Sequence, residues 1–381
     1  MSESIENLLS ASRVRFLSAA DLKIGDSSEG DKLVRPSVPV SLTSSLNNFP
    51  QDPSERNRLF FGSPGSGKSR TVRQLTNGHR TFTTTFHPDY DYHDFVGAYK
   101  PAESEDEIGK ITYRFEPNVL VTAYVAAWKN PSRKHFVVIE EINRGNCAQI
   151  FGDLFLLLDR DDRHYSDYFL TIGSDLSRYL KQVFSGSDYE ERIKEFYAAK
   201  QNMTCEDGFA IMAFPPNLYL YATMNTSDQS LFPMDSAFKR RWDWEYIPID
   251  YADADQFTIV LSDDFQYRWG RFIEVINQRI LHLTGSEDKQ LGNRFVNPAD
   301  KIIRLAMFKS KVLFYLWSEI YKNEPDKETN IFVYQPADKP DVELFTFSQL
   351  YQKLPDGTAL DLEILPSFLR QLGLEPISSP Q

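Results

Sequence analysis

The stretch that most constrains this chain reads Gly62-Ser63-Pro64-Gly65-Ser66-Gly67-Lys68-Ser69. It is G-x-x-x-x-G-K-[ST], a phosphate-cradling loop, and such a loop works only between a strand and a helix. Both flanks fit. Asn57 to Phe61 is suited to a short buried strand, and Ser69 to Leu75 contains no Gly or Pro and can open a helix. Glycines let backbone N–H groups converge on phosphate oxygens with no Cβ in the way. The helix N-terminus adds partial positive charge beneath the anion. Lys68 is placed to neutralise terminal phosphates, and the Ser69 hydroxyl to ligate Mg²⁺. The nucleotide-contacting residues expected here are Gly62, Ser63, Pro64, Gly65, Ser66, Gly67, Lys68, Ser69 and the neighbouring Arg70.

Beyond the loop, strand-like and helix-like segments alternate. Arg80 to Phe86 is β-branched and aromatic. Pro117 can open a helix whose Val119, Leu120, Ala123, Tyr124, Ala127 and Trp128 recur at helical spacing until Pro131. His135 to Ile139 is an apolar run of the kind found in buried parallel strands. Ile150 to Leu158 is apolar nearly all round and predicts one buried helix. Asn217 to Thr223 and Trp244 to Ile249 supply two further strands. This alternation predicts an α/β fold, a five-stranded parallel sheet flanked by helices, with ligands at the carboxyl ends of the strands.

Around this unit the expected organisation has three parts. Residues 1–35 form a polar, loosely ordered lead-in, too short for an independent recognition domain. Residues 36–250 form the α/β domain, with an insertion around 174–214. Leu176, Tyr179, Leu180 and Val183, then Ile193, Phe196 and Tyr197, predict two amphipathic helices there, either packed locally or facing a partner. Residues 251–381 read as a helical lid and C-terminal segment. Phe272, Ile276 and Ile280 share a face, Ile302 to Tyr321 is a long apolar-rich helix, and strand-like Ile331 to Tyr334 and Val342 to Phe347 precede a helix near Pro366 to Leu372.

Charge and cysteine usage exclude several function classes. With 54 acidic and 42 basic residues the formal charge is −12, which argues against gripping nucleic acid over a broad surface but leaves room for a local basic lining. Two cysteines cannot build a disulfide framework, and six scattered histidines do not suggest structural zinc. No run approaches the roughly 18 apolar residues of a membrane span, and the acidic start does not read as a secretory signal. A cytoplasmic protein with no membrane contact is expected.

Three further motifs carry chemistry. Phe136-Val137-Val138-Ile139-Glu140-Glu141 is an apolar strand ending in two carboxylates, which looks like a Walker B motif. Glu140 would hold Mg²⁺ through its water shell and Glu141 would polarise the attacking water. Met224 to Ser230 closes the next strand, where Asn225 can orient that water; an Asx-type turn is the alternative reading. Met234 to Arg241 is a short helix ending in Lys239, Arg240 and Arg241. Cations at a helix C-terminus are favourable in themselves. The functional alternative is that Arg240 or Arg241 reaches the γ-phosphate in an adjacent subunit, a contact worth about 10³ to 10⁵ in rate.

Taken together, the residues resemble the McrB-type AAA+ NTPases, the motor subunits of methylation-dependent McrBC restriction systems. The resemblance covers roughly 57–250. It rests on Phe86-His87-Pro88, Tyr90, Tyr92, Asp94-Phe95-Val96 and Tyr99-Lys100-Pro101, on Glu140-Glu141-Ile142-Asn143-Arg144 and Ile150-Phe151-Gly152-Asp153-Leu154, and on Met224-Asn225-Thr226-Ser227-Asp228, Asp235, Ala237 and Arg240-Arg241. The Glu-Glu pair and Phe-Lys-Arg-Arg-Trp look closest to the branch in LlaJI-type systems. The family implies a hexameric, GTP-binding ring with Mg²⁺, stimulated by a McrC-like nuclease and acting on DNA through it. Asn225 would be the catalytic asparagine, Asn225 to Asp228 the segment associated with GTP use, and Arg240 and Arg241 the trans-acting arginines. Gln229 stands where better-known members have Arg, and Glu140 where they have Asp, so GTP and ATP both stay open. Two other readings stand beside this one: a nucleotide-bound assembly scaffold with little hydrolysis, motivated by Glu140, and a MoxR-like protein remodeller, motivated by the acidic charge.

Overall fold

The computed structural model describes residues 54–103, 111–201, 209–226, 232–337, 339–354 and 357–377, with side chains of 196–201 excluded. All lie in one compact unit spanning 44–381. The lead-in and Asp228 fall outside the described residues.

The first strand, β1 (Asn57–Gly62), runs into the phosphate loop and α1 (Lys68–Leu75). β2 (Arg80–Thr85) follows, then α2 (Tyr92–Val96), a hairpin of β3 (Gly97–Glu103) and β4 (Ile111–Pro117), and α3 (Val119–Lys129). β5 (His135–Glu140) leads to α4 (Cys147–Phe151). β6 (Leu170–Thr171) precedes the insertion, which carries α5 (Ser174–Val183), α6 (Tyr189–Gln201) and β7 (Ile211–Met212). β8 (Leu218–Asn225), α7 (Ser236–Lys239) and β9 (Asp243–Tyr246) complete the α/β part. Its sheet is wholly parallel in the order β2-β5-β8-β1-β9. The spatial order separates β1 from β2 by two strands, so β5 and β8 sit centrally, buried on both faces. Their near-continuous apolar sequences follow from that position.

The helix expected over Ile150 to Leu158 is broken in two. Gly152 adopts φ 50° and ψ −133°, which ends α4 and starts a 3₁₀ segment to Leu158. The apolar side chains remain buried because the tighter turn still delivers Ile150, Phe151, Leu154, Leu157 and Leu158 to one core. That core lies on the side of the sheet holding α3 and α4. On the other face a smaller cluster of Phe60, Val72, Phe136, Val138, Tyr219 and Tyr221 packs beneath α1.

The C-terminal part has its own core. It begins with α8 (Tyr251–Ala254) and a three-stranded sheet of β10 (Thr258–Val260), β11 (Gln266–Arg268) and β12 (Ile302–Arg304), so it is α+β rather than purely helical. The long helix expected from Ile302 starts instead as β12, whose Ile303 pairs with Ile259 of β10. Short α10 (Leu305–Met307) then continues through π-helical turns to Ile320. α9 (Trp269–Thr284) buries Phe272, Ile276 and Ile280, the face expected of it. β13 (Val333–Tyr334), β14 (Glu343–Leu344) and α11 (Asp361–Gln371) close the described chain.

Candidate nucleotide site

The phosphate loop spans the gap between β1 and α1 at the carboxyl edge of the sheet. Gly67 caps α1 in the left-handed conformation, φ 102°, with open space where a Cβ would point. Lys68 is buried along the loop, its Nζ donating to the carbonyls of Gly62 and Ser63 at 2.9 Å each. Ser66 Oγ is buried in the cradle with no hydrogen-bond partner among the described residues, a polar atom that a phosphate oxygen would satisfy. The loop therefore fits a nucleotide phosphate on its own geometry. Arg70 is exposed on the first turn of α1.

The two carboxylates diverge at the end of β5. Glu140 points back to the loop: its Oε2 accepts from Ser69 Oγ at 2.8 Å and from Thr223 Oγ1 on β8. Ser69 and Glu140 thus present two hard oxygen donors side by side, the donor chemistry of a Mg²⁺ site. Glu141 leaves the strand with φ 55° and ψ 48°, a left-handed conformation unfavourable for any residue with a Cβ. Its N–H is held by Thr223 Oγ1 at 3.2 Å. That turn swings the Glu141 carboxylate toward β8, where Asn225 Nδ2 donates to Oε1 at 2.6 Å. Asn143 is buried and its Nδ2 donates to the Asn225 carbonyl at 2.7 Å, fixing the end of β8. Arg144 Nε lies 3.6 Å from Glu141 Oε2. A carboxylate and an amide bonded to one another beside a phosphate cradle can together orient and polarise a water molecule.

The two expected trans arginines part company. Arg240 is exposed at the end of α7. Arg241 is turned inward: its guanidinium donates to Asp159 Oδ2 at 2.7 and 3.0 Å and to the Ala237 carbonyl at 2.7 Å, and stacks 4.6 Å over the Phe155 ring. With its side chain 4% exposed, Arg241 braces α7 on the core. The sequence offers Arg240 or Arg241 as the trans-acting arginine, and the two side chains are placed differently, Arg240 exposed and Arg241 buried.

The lid reaches into the same site. Buried Asn277 of α9 exchanges hydrogen bonds with the backbone of Leu291, at 2.7 and 2.9 Å, and the Trp269 indole donates to the Asn293 carbonyl at 3.0 Å. Both hold the 287–295 segment against the phosphate loop. Gly292 N–H donates to Pro64 O and Arg294 N–H to Gly65 O, each at 2.9 Å, and Ser63 Oγ donates to Glu287 O at 3.0 Å. Thr226 Oγ1 donates to Asp288 Oδ1, joining the tip of β8 to the same segment. The Arg294 side chain bonds Asp253 at 2.6 Å.

Thr223, Asp288 and Gly292 make contacts at the site that sequence reasoning missed. Thr223 had a signal: it lies two residues before Asn225 on one strand and so faces the same side. The contacts of Asp288 and Gly292 had none, since each joins segments far apart in the sequence.

The comparisons with known proteins agree with this geometry. Residues 57–242 match the AAA domain of the dynein-related subfamily. The chain is 33% identical over 300 residues to the type II restriction enzyme BsuMI component YdiS of Bacillus subtilis (strain 168), covering 71% of this chain and 80% of that protein. It is 28% identical over 244 residues to the type IV methyl-directed restriction enzyme EcoKMcrB subunit of Escherichia coli (strain K12), covering 62% of this chain and 44% of that one. No helix among the described residues is long and apolar enough to cross a membrane. With its phosphate loop, paired glutamates and asparagine-tipped neighbouring strand, the chain belongs to the McrB-like AAA+ ATPases.

Proposed function

We propose that the chain hydrolyses GTP or ATP as one subunit of a homo-oligomeric ring, and that the cycle drives a McrC-like nuclease in DNA restriction and phage defence. The observation that carries the hydrolytic reading is the 2.6 Å bond between Asn225 Nδ2 and Glu141 Oε1. It aligns an acceptor for a water proton beside the phosphate loop. When bound at Ser69 and Glu140, Mg²⁺ would supply charge neutralisation on the phosphates. Lys68 binds the terminal phosphates, Glu141 takes the proton of the attacking water, and Asn225 holds the Glu141 carboxylate in register. Arg240 is the residue we assign to the next subunit's site, because its side chain is exposed and that of Arg241 is committed to Asp159. Asp228 keeps its proposed place in nucleotide selection.

The restriction relatives support the nuclease partnership over protein remodelling. Against the scaffold reading, the longer Glu140 side chain still reaches the Ser69 hydroxyl at 2.8 Å, so the replacement of Asp leaves the metal-side contact intact. Phosphate release from GTP and from ATP, alone and with a McrC-like nuclease, tests the proposal. Turnover should appear with at least one nucleotide and drop about 10²-fold or more in Asn225→Ala with nucleotide affinity retained. Tight nucleotide binding without turnover under every condition would establish the scaffold instead.

A further inference from the structure

The end of the sheet opposite the phosphate loop carries a feature that nucleotide chemistry does not use. The chain is acidic overall, yet no Asp or Glu occurs between Glu55 and Asp89 or between Glu116 and Glu140. Those two segments supply β1, α1 and β2, then α3 and β5. Where the turn after α1 meets the turn after α3 lies a cavity of about 380 Å³, walled by His79, Arg80, Asn130, Arg133, Lys134 and His135, with no carboxylate in the lining. Arg80 and Arg133 are exposed, and among the described residues no ion pair holds either one. Arg73 and Lys129, in the last turns of α1 and α3, extend the cationic rim. Helix-dipole compensation accounts for those two. It does not account for Arg80 and Arg133, which lie beyond the helix ends where the next strands begin.

The walls are built rather than loose. Buried Asn217 donates to the carbonyls of Ala127 at 3.0 Å and Arg133 at 2.8 Å, pinning the turn that presents Arg133. The His79 ring packs 5.5 Å from Phe136, and Arg80 stacks 5.1 Å from the Phe82 ring. Burial holds the His135 imidazole below its ordinary pKa, and the Arg80 and Arg133 charges push the same way, a local mark of uncompensated positive potential.

We propose that this pocket and its rim form a phosphate-backbone site for duplex DNA on the chain itself, separate from the nucleotide site. The cations are spread over four element ends rather than converging on one point. A repeating polyanion matches that spread; a single small anion would engage only part of it. The chain is acidic overall, so a cationic patch also favours one face for approach to the duplex. The inference does not depend on which nucleotide is hydrolysed, or whether any is.

The test is fluorescence anisotropy of the full chain with a labelled duplex of arbitrary sequence, across a salt series. Each neutralised phosphate contributes about 0.9 to the slope of log K against log salt. Arg80→Gln with Arg133→Gln should make the slope shallower by about 1.8, which at about 0.1 M salt is a loss of about 60-fold in affinity. The charge-retaining pair Arg80→Lys with Arg133→Lys should keep the slope, and Lys322→Gln, an exposed lid cation, should change nothing. Melting temperature confirms that each variant is folded. Equal binding by wild type and the glutamine pair overturns the proposal. So does tripolyphosphate binding at the pocket with no measurable binding of duplex.

Discussion

Replacing Gly292 by Ala tests whether the lid and the phosphate loop act as one body. A Cβ on Gly292 would lie 2.1 Å from Gly65 C, 2.2 Å from Ser66 N and 2.4 Å from Gly65 O. All three are backbone atoms of the phosphate loop, so no flexible side chain can yield. Relieving the contact to ordinary van der Waals separation needs a shift of roughly 1.5 Å, judged against the close packing of protein interiors. Two outcomes compete. If the segments stay together, overpacking costs about 1–3 kcal/mol. If they part, the bonds from Gly292 N–H to Pro64 O and from Arg294 N–H to Gly65 O are lost, at about 0.5–1.5 kcal/mol each. The two costs are similar, so the variant should lose about 1–3 kcal/mol, or about 2–6 °C in melting temperature at roughly 2 °C per kcal/mol for a chain of this size. Because the displaced atoms belong to the cradle, binding of a fluorescent nucleotide analogue should weaken by at least about tenfold, the equivalent of 1.4 kcal/mol. Gly173→Ala is the control: nothing lies within 4 Å of its Cβ position, and it should stay within about 0.5 kcal/mol of wild type. A Gly292→Ala protein that melts with wild type and binds nucleotide equally well would refute the coupling.

Three single substitutions test other parts of the structure. Arg241→Ala should lower stability by about 2–3 kcal/mol in chemical denaturation, because it strands Asp159, which is 26% exposed and so recovers part of the usual penalty for breaking a buried pair. Arg240→Ala should melt like wild type and lose about 10³-fold in turnover; the reverse pattern would show that the buried arginine is the chemical one. For His135, burial comes first among the causes that lower its pKa, so the unfolded chain takes up a proton near its ordinary value of about 6.5 and the folded chain only below that. The unfolded state then binds more protons across that window, so the contribution of His135 is complete above about pH 6.5 and is lost as pH falls below it. Melting curves from pH 7.5 to 5.5 should show a shallower decline in His135→Gln; identical slopes would mean that the imidazole carries no such linkage.

How legible the site was depends on how local its physics is. The phosphate loop could be read directly because its glycines, lysine and hydroxyl are contiguous and each type answers one requirement of a bound phosphate. Glu140, Glu141 and Asn225 could be read because strand ends in a parallel sheet are placed by topology, and β5 and β8 are neighbours. Arg240 and Arg241 could not be separated from sequence: both end the same short helix, and what divides them is Asp159 and Phe155 waiting on the core side. Ile150 to Leu158 read as one helix, and only the φ of 50° at Gly152 splits it. β12 hid inside a longer helical pattern because three residues, Ile302 to Arg304, are too few to show a period of two.

The lid contacts change what the phosphate loop is for. A cradle that only held phosphates would need its backbone N–H groups and nothing on its carbonyl side. Here the carbonyls of Pro64 and Gly65 are both taken by the 287–295 segment, Ser63 reaches Glu287, and Thr226 beside Asn225 reaches Asp288. The loop therefore has two working faces, one toward the nucleotide and one toward the lid. Any movement of its backbone on binding phosphate must strain or release three lid contacts, while the Thr226 link ties the same segment to the end of β8, the strand that carries Asn225. Coupling of this kind would need no long-range wire: the edge that meets the phosphate and the edge bonded to the 287–295 segment belong to one short turn.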